Sequence, residues 1–555
     1  MKTLKTASMI LLSGFAALAL VACGDSSSSN DPVGPGLSSQ TPGSSNSGGN
    51  GGNEGGSQGG EGGSSQSGGS TTPTPSGYLY GTYPASTSTD LGPNYNSAVP
   101  TTATPRYALT DADFAPGSGN GAVPETGDCG SETGDISPAN GCMRYIGRVY
   151  NNTANGTVDY NWPGIVTMAR FKGTSVTVKF RIEDSMDGNM WLDAYIDGKK
   201  VVRYPVSSPA TESATDGQTV IYNHGSLRLW KDSVEYLLAR NLDDGEHDLV
   251  LAKRSESNFA AVHFAGLKLD AGKGLSRIPT ARSERRIEVI GDSYSVGYGD
   301  EYPTANLVNE TRPYVQASSG GACSDEQFHA YTNSGAAYAH ALASVLGAEV
   351  HLNAYSGLGM ERNYNGNTAY NSFPGYYGRV LQHDETVKYD PNVWHPQLMV
   401  IMLGTNDYSM LLNGGEIYAD DAALNAAYRA SYHAFLHKQR ELHPGIKFIV
   451  GGTPLDINVA GNKQMDQAQL VIDEERAAGN NDVVFFKFAN LSGYGCAWHP
   501  GWKLQKDWAR QIANVVLNDS EGILNLNWSA TNAERLPWAG AEHYWYGDDN
   551  VLALN

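Results

Sequence analysis

The chain has 555 residues, several times what one hydrophobic core organises, so more than one structural unit is expected. Acidic residues outnumber basic ones 58 to 38, and the resulting charge of −20 excludes a general affinity for nucleic acid or anionic lipid surfaces. Charged residues make up only 17% while Gly (65), Tyr (31) and Trp (10) are abundant, which excludes coiled coils and histone-like folds and fits a loop-rich protein outside the cytoplasm.

Residues 1–23 read as a processing signal. Lys2 and Lys5 form a short basic start, Met9 to Val21 is apolar but too short to span about 30 Å of bilayer comfortably, and Leu20-Val21-Ala22-Cys23 places a thiol after small or apolar residues. This resembles a bacterial lipobox. Cys23 is therefore the expected lipidation site, a lipid on it the only expected membrane attachment, and the bacterial cell envelope, at the outer membrane or cell surface, the expected location. Four cysteines remain, Cys129, Cys142, Cys323 and Cys496, an even number in an oxidising compartment. Of three possible pairings, the short loop makes Cys129 with Cys142 the natural bridge, leaving Cys323 with Cys496; four free thiols are the alternative. No CxxC pair or HExxH motif occurs, so no metal is expected.

Residues 24–77 are almost wholly small and polar and contain no aromatic residue, so they cannot bury enough surface to fold. As a flexible tether they would span about 40 Å. A G-x-S-x-G match at Gly55 to Gly59 falls inside this tract, where no strand-to-helix turn exists to make it a nucleophile elbow.

From 78 to 275 the pattern is strand-like. Val176, Val178, Phe180 and Ile182 alternate with Thr177, Lys179 and Arg181, and Asp197-Gly198 and Asp244-Gly245 are turn signals beside apolar runs. A β-sandwich without substantial helix is expected. Over 280–520 the rhythm changes to strand, helix, strand. Apolar runs at Ile287–Ile290, Val350–Ala354, Leu398–Leu403, Ile446–Val450 and Val483–Phe488 are separated by helical patterns, among them Tyr338 to Leu346 before Gly347, a helix through Leu424 and Leu436, and Gln505 to Leu517. That predicts an α/β domain with a five-stranded parallel sheet flanked by helices. Residues 521–555 form an extension whose packing partner the pattern does not define.

Ligands of such sheets bind beyond the C-terminal strand ends. There stand Gly291-Asp292-Ser293, then Tyr355-Ser356-Gly357-Leu358-Gly359, then Gly404-Thr405-Asn406-Asp407, and finally Cys496-Ala497-Trp498-His499-Pro500. Each motif alone is an ordinary turn; four in this order at four strand ends form a pattern. The set resembles the SGNH, or GDSL-type, hydrolase superfamily. Tyr145 to Arg148, Trp162 to Val176 and the DGEHDLVLAKRSE stretch resemble the N-terminal domain of carbohydrate esterase family two, acetyl xylan esterase-like deacetylases that join a jelly-roll sandwich to an SGNH domain.

The resemblance implies Ser293 as nucleophile, His499 as the base, and an oxyanion hole from the N–H groups of Ser293 and Gly357 and the side-chain amide of Asn406. The superfamily's usual Asp two or three residues before the His is missing: Ala497 and Cys496 occupy those positions. A Ser-His dyad oriented by a backbone carbonyl is the preferred solution; a distant acid such as Asp507, or impaired catalysis, are the others. Asp292 and Asp407 read as turn-stabilising. Among the nearby aromatics Tyr355, Tyr408 and Trp498 are candidate sugar contacts, because pyranose rings have apolar C–H faces. Gly357-Leu358-Gly359 lacks the third glycine and downstream acid of a dinucleotide site, so no cofactor is expected. The implied activity is removal of O-acetyl groups from acetylated xylan or glucomannan by a monomer. A glycan-binding lipoprotein with a degenerate SGNH domain, and an SGNH lipase or thioesterase, are the competing readings.

Overall fold

A computed structural model of the chain describes residues 93–202, 222–223, 226–232, 234–256, 260–280, 282–301, 328–329, 331–452, 463–489, 494–530 and 551–553. The lipobox with Cys23, the 24–77 tract and Cys323 lie outside these residues.

Two antiparallel sheets face each other in the first half. One runs 235–239, 176–182, 262–269, 157–160, 150–152, with 135–136 also on 262–269; the other runs 275–276, 166–173, 245–253, 190–196, 226–229, 222–223, with 144–146 on 166–173 and 199–202 on 190–196. The alternation expected at 176–182 is present: Val176, Val178, Phe180 and Ile182 are buried while Arg181 is exposed. Opposite them stand Ala169, Phe171, Leu249 and Leu251, and Phe180 packs on Phe264 with ring centroids 5.2 Å apart. Asp197 and Gly198 both have positive φ (51° and 74°), as a two-residue hairpin turn requires, and they join 190–196 to 199–202. Cys129 and Cys142 are bridged.

The second sheet differs from a half-solvated sandwich face. Strand Met190–Ile196 is buried at every position. Successive side chains point to opposite faces, and here Val166, Met168, Tyr195 and Val250 leave the sandwich core to pack with Ile287, Val289, Leu342 and Leu352 of the following domain. A sheet covered on both sides loses its polar alternation, as happens to parallel sheets between helices.

That following domain carries β1 (Arg286–Gly291), β2 (Glu349–Ala354), β3 (Leu398–Met402), β4 (Lys447–Gly452) and β5 (Val483–Lys487), all parallel, in the order β2-β1-β3-β4-β5. Its described helices include α1 (Ser293–Val296), α2 (Tyr338–Leu346), α3 (Thr405–Tyr408), α4 (Asp421–Leu442), α5 (Lys463–Ala477) and α6 (Trp502–Asn518). Gly347 ends α2 in the left-handed conformation, and the Asp420 carboxylate caps α4 by accepting from Ala423 N. Sequence periodicity does not single out α5, whose buried stripe of Met465, Ala468, Val471 and Ile472 is narrow and whose Glu475 is buried. Glu475 is held by His433 and Arg440 of α4 at 2.7 and 2.8 Å, so ion pairing does there what apolar area does elsewhere.

Residues 97–120 depart from the expected 78–275 domain. They lie along the α/β domain rather than inside the sandwich: Ser97 N donates to Asn480 Oδ1 at 2.8 Å, Arg106 N to Glu361 Oε2 at 2.8 Å and Ala115 N to Tyr389 O at 2.9 Å. The stretch has too little period-2 apolar patterning to enter a sheet and satisfies its backbone on a neighbour instead. Of the C-terminal extension, Leu524 and Leu526 join the α/β core, and Val551–Ala553 pairs in parallel with Lys199–Val202 of the sandwich.

Arg254, at the end of strand 245–253, joins the two domains. Its buried guanidinium meets Asp193 of the sandwich at 3.3 Å and Glu301 of the α/β domain, and its carbonyl accepts from Ser334 N and Oγ at 3.0 and 2.8 Å. Replacing one member of such a buried network strands the charges left behind, so Arg254→Met is expected to cost about 3–5 kcal/mol. Thermal unfolding of the whole chain measures it, and a midpoint unchanged within experimental error would show that the pair adds nothing.

Candidate active site

The parallel ladder aligns Gly291 at the end of β1 with Ala354 of β2 on one side and Met402 of β3 on the other. Ser293, Gly357 and Asn406 therefore leave three adjacent strands at one level, at the crevice where strand order reverses. Gly291 must be glycine because a Cβ there would come within 1.9 Å of Ser295 Oγ. Asp292 then caps α1, its Oδ1 accepting from Tyr294 N at 3.0 Å, which sets Ser293 at the first helical position.

His499 Nε2 lies 2.8 Å from Ser293 Oγ. On the opposite side of the ring, Nδ1 donates to the carbonyls of Ala497 (3.0 Å) and Cys496 (3.2 Å). Two carbonyl acceptors fix the tautomer with hydrogen on Nδ1 and the Nε2 lone pair toward the serine, the orientation a third carboxylate normally supplies. Both carbonyls converge because Ala497 takes a left-handed conformation (φ 47°, ψ 45°), a strain of about 1–2 kcal/mol for a residue with a Cβ. Asp507 is not the missing acid. Its carboxylate accepts from Gln511 within α6 at 2.8 Å.

The His499 loop is pinned to the loop that follows Ser293. Cys496 N donates to Gly299 O at 3.0 Å and Trp502 N to Asp300 O at 2.9 Å, while Cys496, buried, is disulfide-bonded. Its proposed partner Cys323 is among the residues not described. Tyr294 meets the imidazole edge-on (5.0 Å, 81°) and Tyr298 stacks on its face (4.2 Å, 27°), backed by Phe328 at 4.1 Å. Burial lowers the His499 pKa to about 4 against the opposing pull of the two carbonyls, so the resting imidazole is neutral. The Tyr298 ring face is where an imidazolium formed during proton transfer gains most.

Backbone accounting singles out two N–H groups here, because buried N–H groups ordinarily find partners. Of the eight consecutive N–H groups from Tyr355 to Arg362, seven donate: to Gly291 O, Glu256, Tyr355 O, Asn363 Oδ1 and three times to Asp407. Gly357 N–H alone has no acceptor among the described residues, and neither has Ser293 N–H. Gly357 sits at φ 81°, as the third position of a turn closed by Leu358 N to Tyr355 O requires. Asn406 behaves differently. Its Nδ2 donates to Leu358 O at 2.8 Å and Asp292 Oδ2 at 3.3 Å, so the amide braces the hole and reaches an oxyanion only by releasing the longer bond.

Asp292 and Asp407 act as turn-stabilising residues. Asp407 gathers the N–H groups of Met360, Glu361 and Arg362 at 2.8–3.0 Å, tying the loop after β2 to the loop after β3. Burial pushes its carboxyl up to about 6, opposed by those three donors, and pushes Asp292 up to about 7. Of the expected sugar contacts, Tyr408 is corrected: it is buried, its hydroxyl bonded to Asn425 Oδ1 at 2.9 Å and its ring against Tyr428, because α3 turns that face inward. Tyr355 is half-buried and stacks near Tyr376 (6.4 Å, 18°). The Trp498 side chain falls outside what is described. Sequence reasoning did not find Glu256, which arrives from the other domain.

Two measurements check the carbonyl-held base. In nitrogen-resolved NMR of labelled histidine, His499 should stay neutral with hydrogen on Nδ1 down to about pH 5 and titrate near 4; a midpoint near 6.5–7 would refute the arrangement. Asp507→Asn should leave kcat/KM within about three-fold of the parent, since its carboxylate does not reach the imidazole.

The geometry has counterparts. The family described as carbohydrate esterase 2 N-terminal matches residues 145–221 and 216–279, and the GDSL-like lipase/acylhydrolase family matches residues 289–515. An acetylxylan esterase / glucomannan deacetylase of Cellvibrio japonicus is 29% identical over 341 residues, 61% of this chain and 80% of that protein. The cellulase/esterase CelE of Acetivibrio thermocellus is 27% identical over 385 residues, 66% of this chain and 39% of that protein. A solved family two carbohydrate esterase from Clostridium thermocellum, in complex with cellohexaose, shares the fold with a TM-score of 0.55 at 23% identity, covering 68% of this chain and 99% of that one. With Ser293, His499, Gly357 and Asn406 gathered at the strand ends of a parallel sheet and an antiparallel sandwich ahead of them, the chain joins a carbohydrate esterase 2 N-terminal domain to a GDSL-like lipase/acylhydrolase domain, the make-up of a carboxylic ester hydrolase.

Proposed function

We propose that this hydrolase removes O-acetyl groups from plant cell-wall polysaccharide, acetylated xylan and glucomannan. The 2.8 Å contact between His499 Nε2 and Ser293 Oγ, together with the Ser293 and Gly357 N–H groups that have no acceptor among the described residues, carries the reading. It also argues against a degenerate binding domain, which has no reason to keep a neutral base aligned on a serine. The names of the relatives and the cellohexaose held by one solved counterpart support a polysaccharide substrate.

Ser293 Oγ attacks the acetyl carbon as His499 Nε2 takes its proton; the carbonyl oxygen becomes an oxyanion received by the N–H groups of Ser293 and Gly357. Collapse expels the sugar oxygen, which takes the proton from His499, and leaves acetyl-Ser293. Water, deprotonated by the same imidazole, repeats the attack and releases acetate. Losing one oxyanion donor typically costs about 10²–10³ in rate. In this reading Cys23 carries a lipid in the bacterial envelope, and residues 24–77 hold the enzyme clear of the membrane surface.

Acetate release from acetylated xylan and glucomannan tests the substrate, alongside p-nitrophenyl esters of increasing chain length. The parent chain should release acetate and favour the acetyl ester, while Ser293→Ala and His499→Ala should each lose about 10³-fold or more in kcat. A preference for long acyl chains would identify a lipase instead. Expressed from its full sequence in a bacterium, the chain should partition with membranes, and Cys23→Ala should release it to the soluble fraction.

A further inference from the structure

The acceptors that hold the loop after β2 come from two sources. Gly291, Tyr355, Asn363 and Asp407 belong to the α/β domain itself. Glu256 belongs to the segment that follows sandwich strand 245–253, and its Oε1 accepts from Ser356 N, the N–H immediately before Gly357. Glu256 is 1% exposed, so this carboxylate is not a surface group resting on the loop.

The residues beside it are equally fixed. Lys253 Nζ donates to the carbonyls of Asn161 and Ser255, the Arg254 guanidinium is shared between Asp193 and Glu301, and Ser255 Oγ accepts from Trp191 N at 2.8 Å. Glu256 thus projects from a clamped backbone. On the receiving side, the turn at Tyr355 to Leu358 is weakly closed, with 3.4 Å between Leu358 N and Tyr355 O. Turns of this kind interconvert by flipping the central peptide, which carries Gly357 N–H, and glycine accepts either sign of φ. A flip would point the donor away from the oxyanion. The bond from Glu256 to Ser356 N stands one peptide before that point.

We propose that Glu256 is a positioning residue through which the β-sandwich sets the oxyanion hole, holding the Ser356 peptide so that Gly357 N–H faces the acyl oxygen. The sandwich domain then completes the catalytic apparatus as well as shaping the substrate surface. The inference rests on the reading of Ser293 as an esterase nucleophile.

Three substitutions separate hydrogen-bond position from charge and packing. Glu256→Gln keeps an acceptor oxygen at the same reach without charge, Glu256→Asp keeps the charge but withdraws it by one methylene, and Glu256→Ala removes both. With p-nitrophenyl acetate and acetylated xylan, Glu256→Gln should retain kcat within about five-fold, Glu256→Asp should lose about ten-fold or more, and Glu256→Ala about 10²-fold, all with KM within about three-fold. If the alanine variant does not fold, the Gln and Asp pair decides. An aspartate variant as active as or more active than the glutamine one, a loss falling mainly on KM, or an alanine variant with near-parental kcat would each overturn the inference. Ser293→Ala, measured in parallel, distinguishes the two levels: if it stays active the nucleophile is misassigned, whereas an inactive Ser293→Ala beside unaffected Glu256 variants removes only the role of Glu256.

Discussion

The hydrogen bond that Ser293 Oγ donates to His499 Nε2 exists in this form because the other ring nitrogen is held by two backbone carbonyls rather than a carboxylate. Carbonyls orient an imidazole as well as an acid does, but they carry no full charge to favour the protonated ring. The imidazole is consequently neutral and half-buried at rest, and in the proposed reaction the cation it becomes must be supported by what surrounds it. Tyr298 on the ring face is the group placed to do this. Converging the two carbonyls obliges Ala497 to adopt a left-handed backbone, and the loop tolerates that strain because Cys496, Gly299 and Asp300 fix both of its flanks. Strain at a catalytic loop and rigidity around it are two sides of one arrangement.

The oxyanion hole depends on a similar economy of backbone groups. A run of N–H donors is consumed almost entirely by Asp407, Asn363 and Glu256, and the one left without an acceptor among the described residues, Gly357 N–H, is the donor proposed for the oxyanion. Such a hole is preorganised: its dipoles are oriented before charge develops, so little reorganisation accompanies reaction. Asn406 contributes chiefly by bracing Leu358 and Asp292 across the crevice.

The sandwich is a structural partner of this site rather than an appendage. Its second sheet is buried on both faces, and the consecutive residues Lys253, Arg254, Ser255 and Glu256 place four buried polar groups at the junction. Polar groups buried at such cost are retained where their geometry matters. Lys253 and Ser255 hold the segment within the sandwich, while Arg254 and Glu256 bond across the junction, Glu256 delivering a carboxylate to the loop that carries Gly357.

Local sequence rules determined a good deal. The five apolar runs became the five parallel strands, Gly347 stopped its helix, Asp197-Gly198 made its hairpin, Cys129 found Cys142, and the strand-end motifs brought Ser293 to His499. These features depend on period, turn chemistry or short loops, which are written in neighbouring residues. The rest was decided by contacts between distant segments. Whether Tyr408 faced sugar or core depended on which way α3 turned against Tyr428; whether strand 190–196 alternated depended on a second domain covering its far face; and α5, with only a narrow apolar stripe, depended also on the ion pairs offered by α4. The missing aspartate pointed to a main-chain carbonyl as the group that orients His499, but the chain as written did not say which one. Every residue has one, and only the folded loop selects which two will serve.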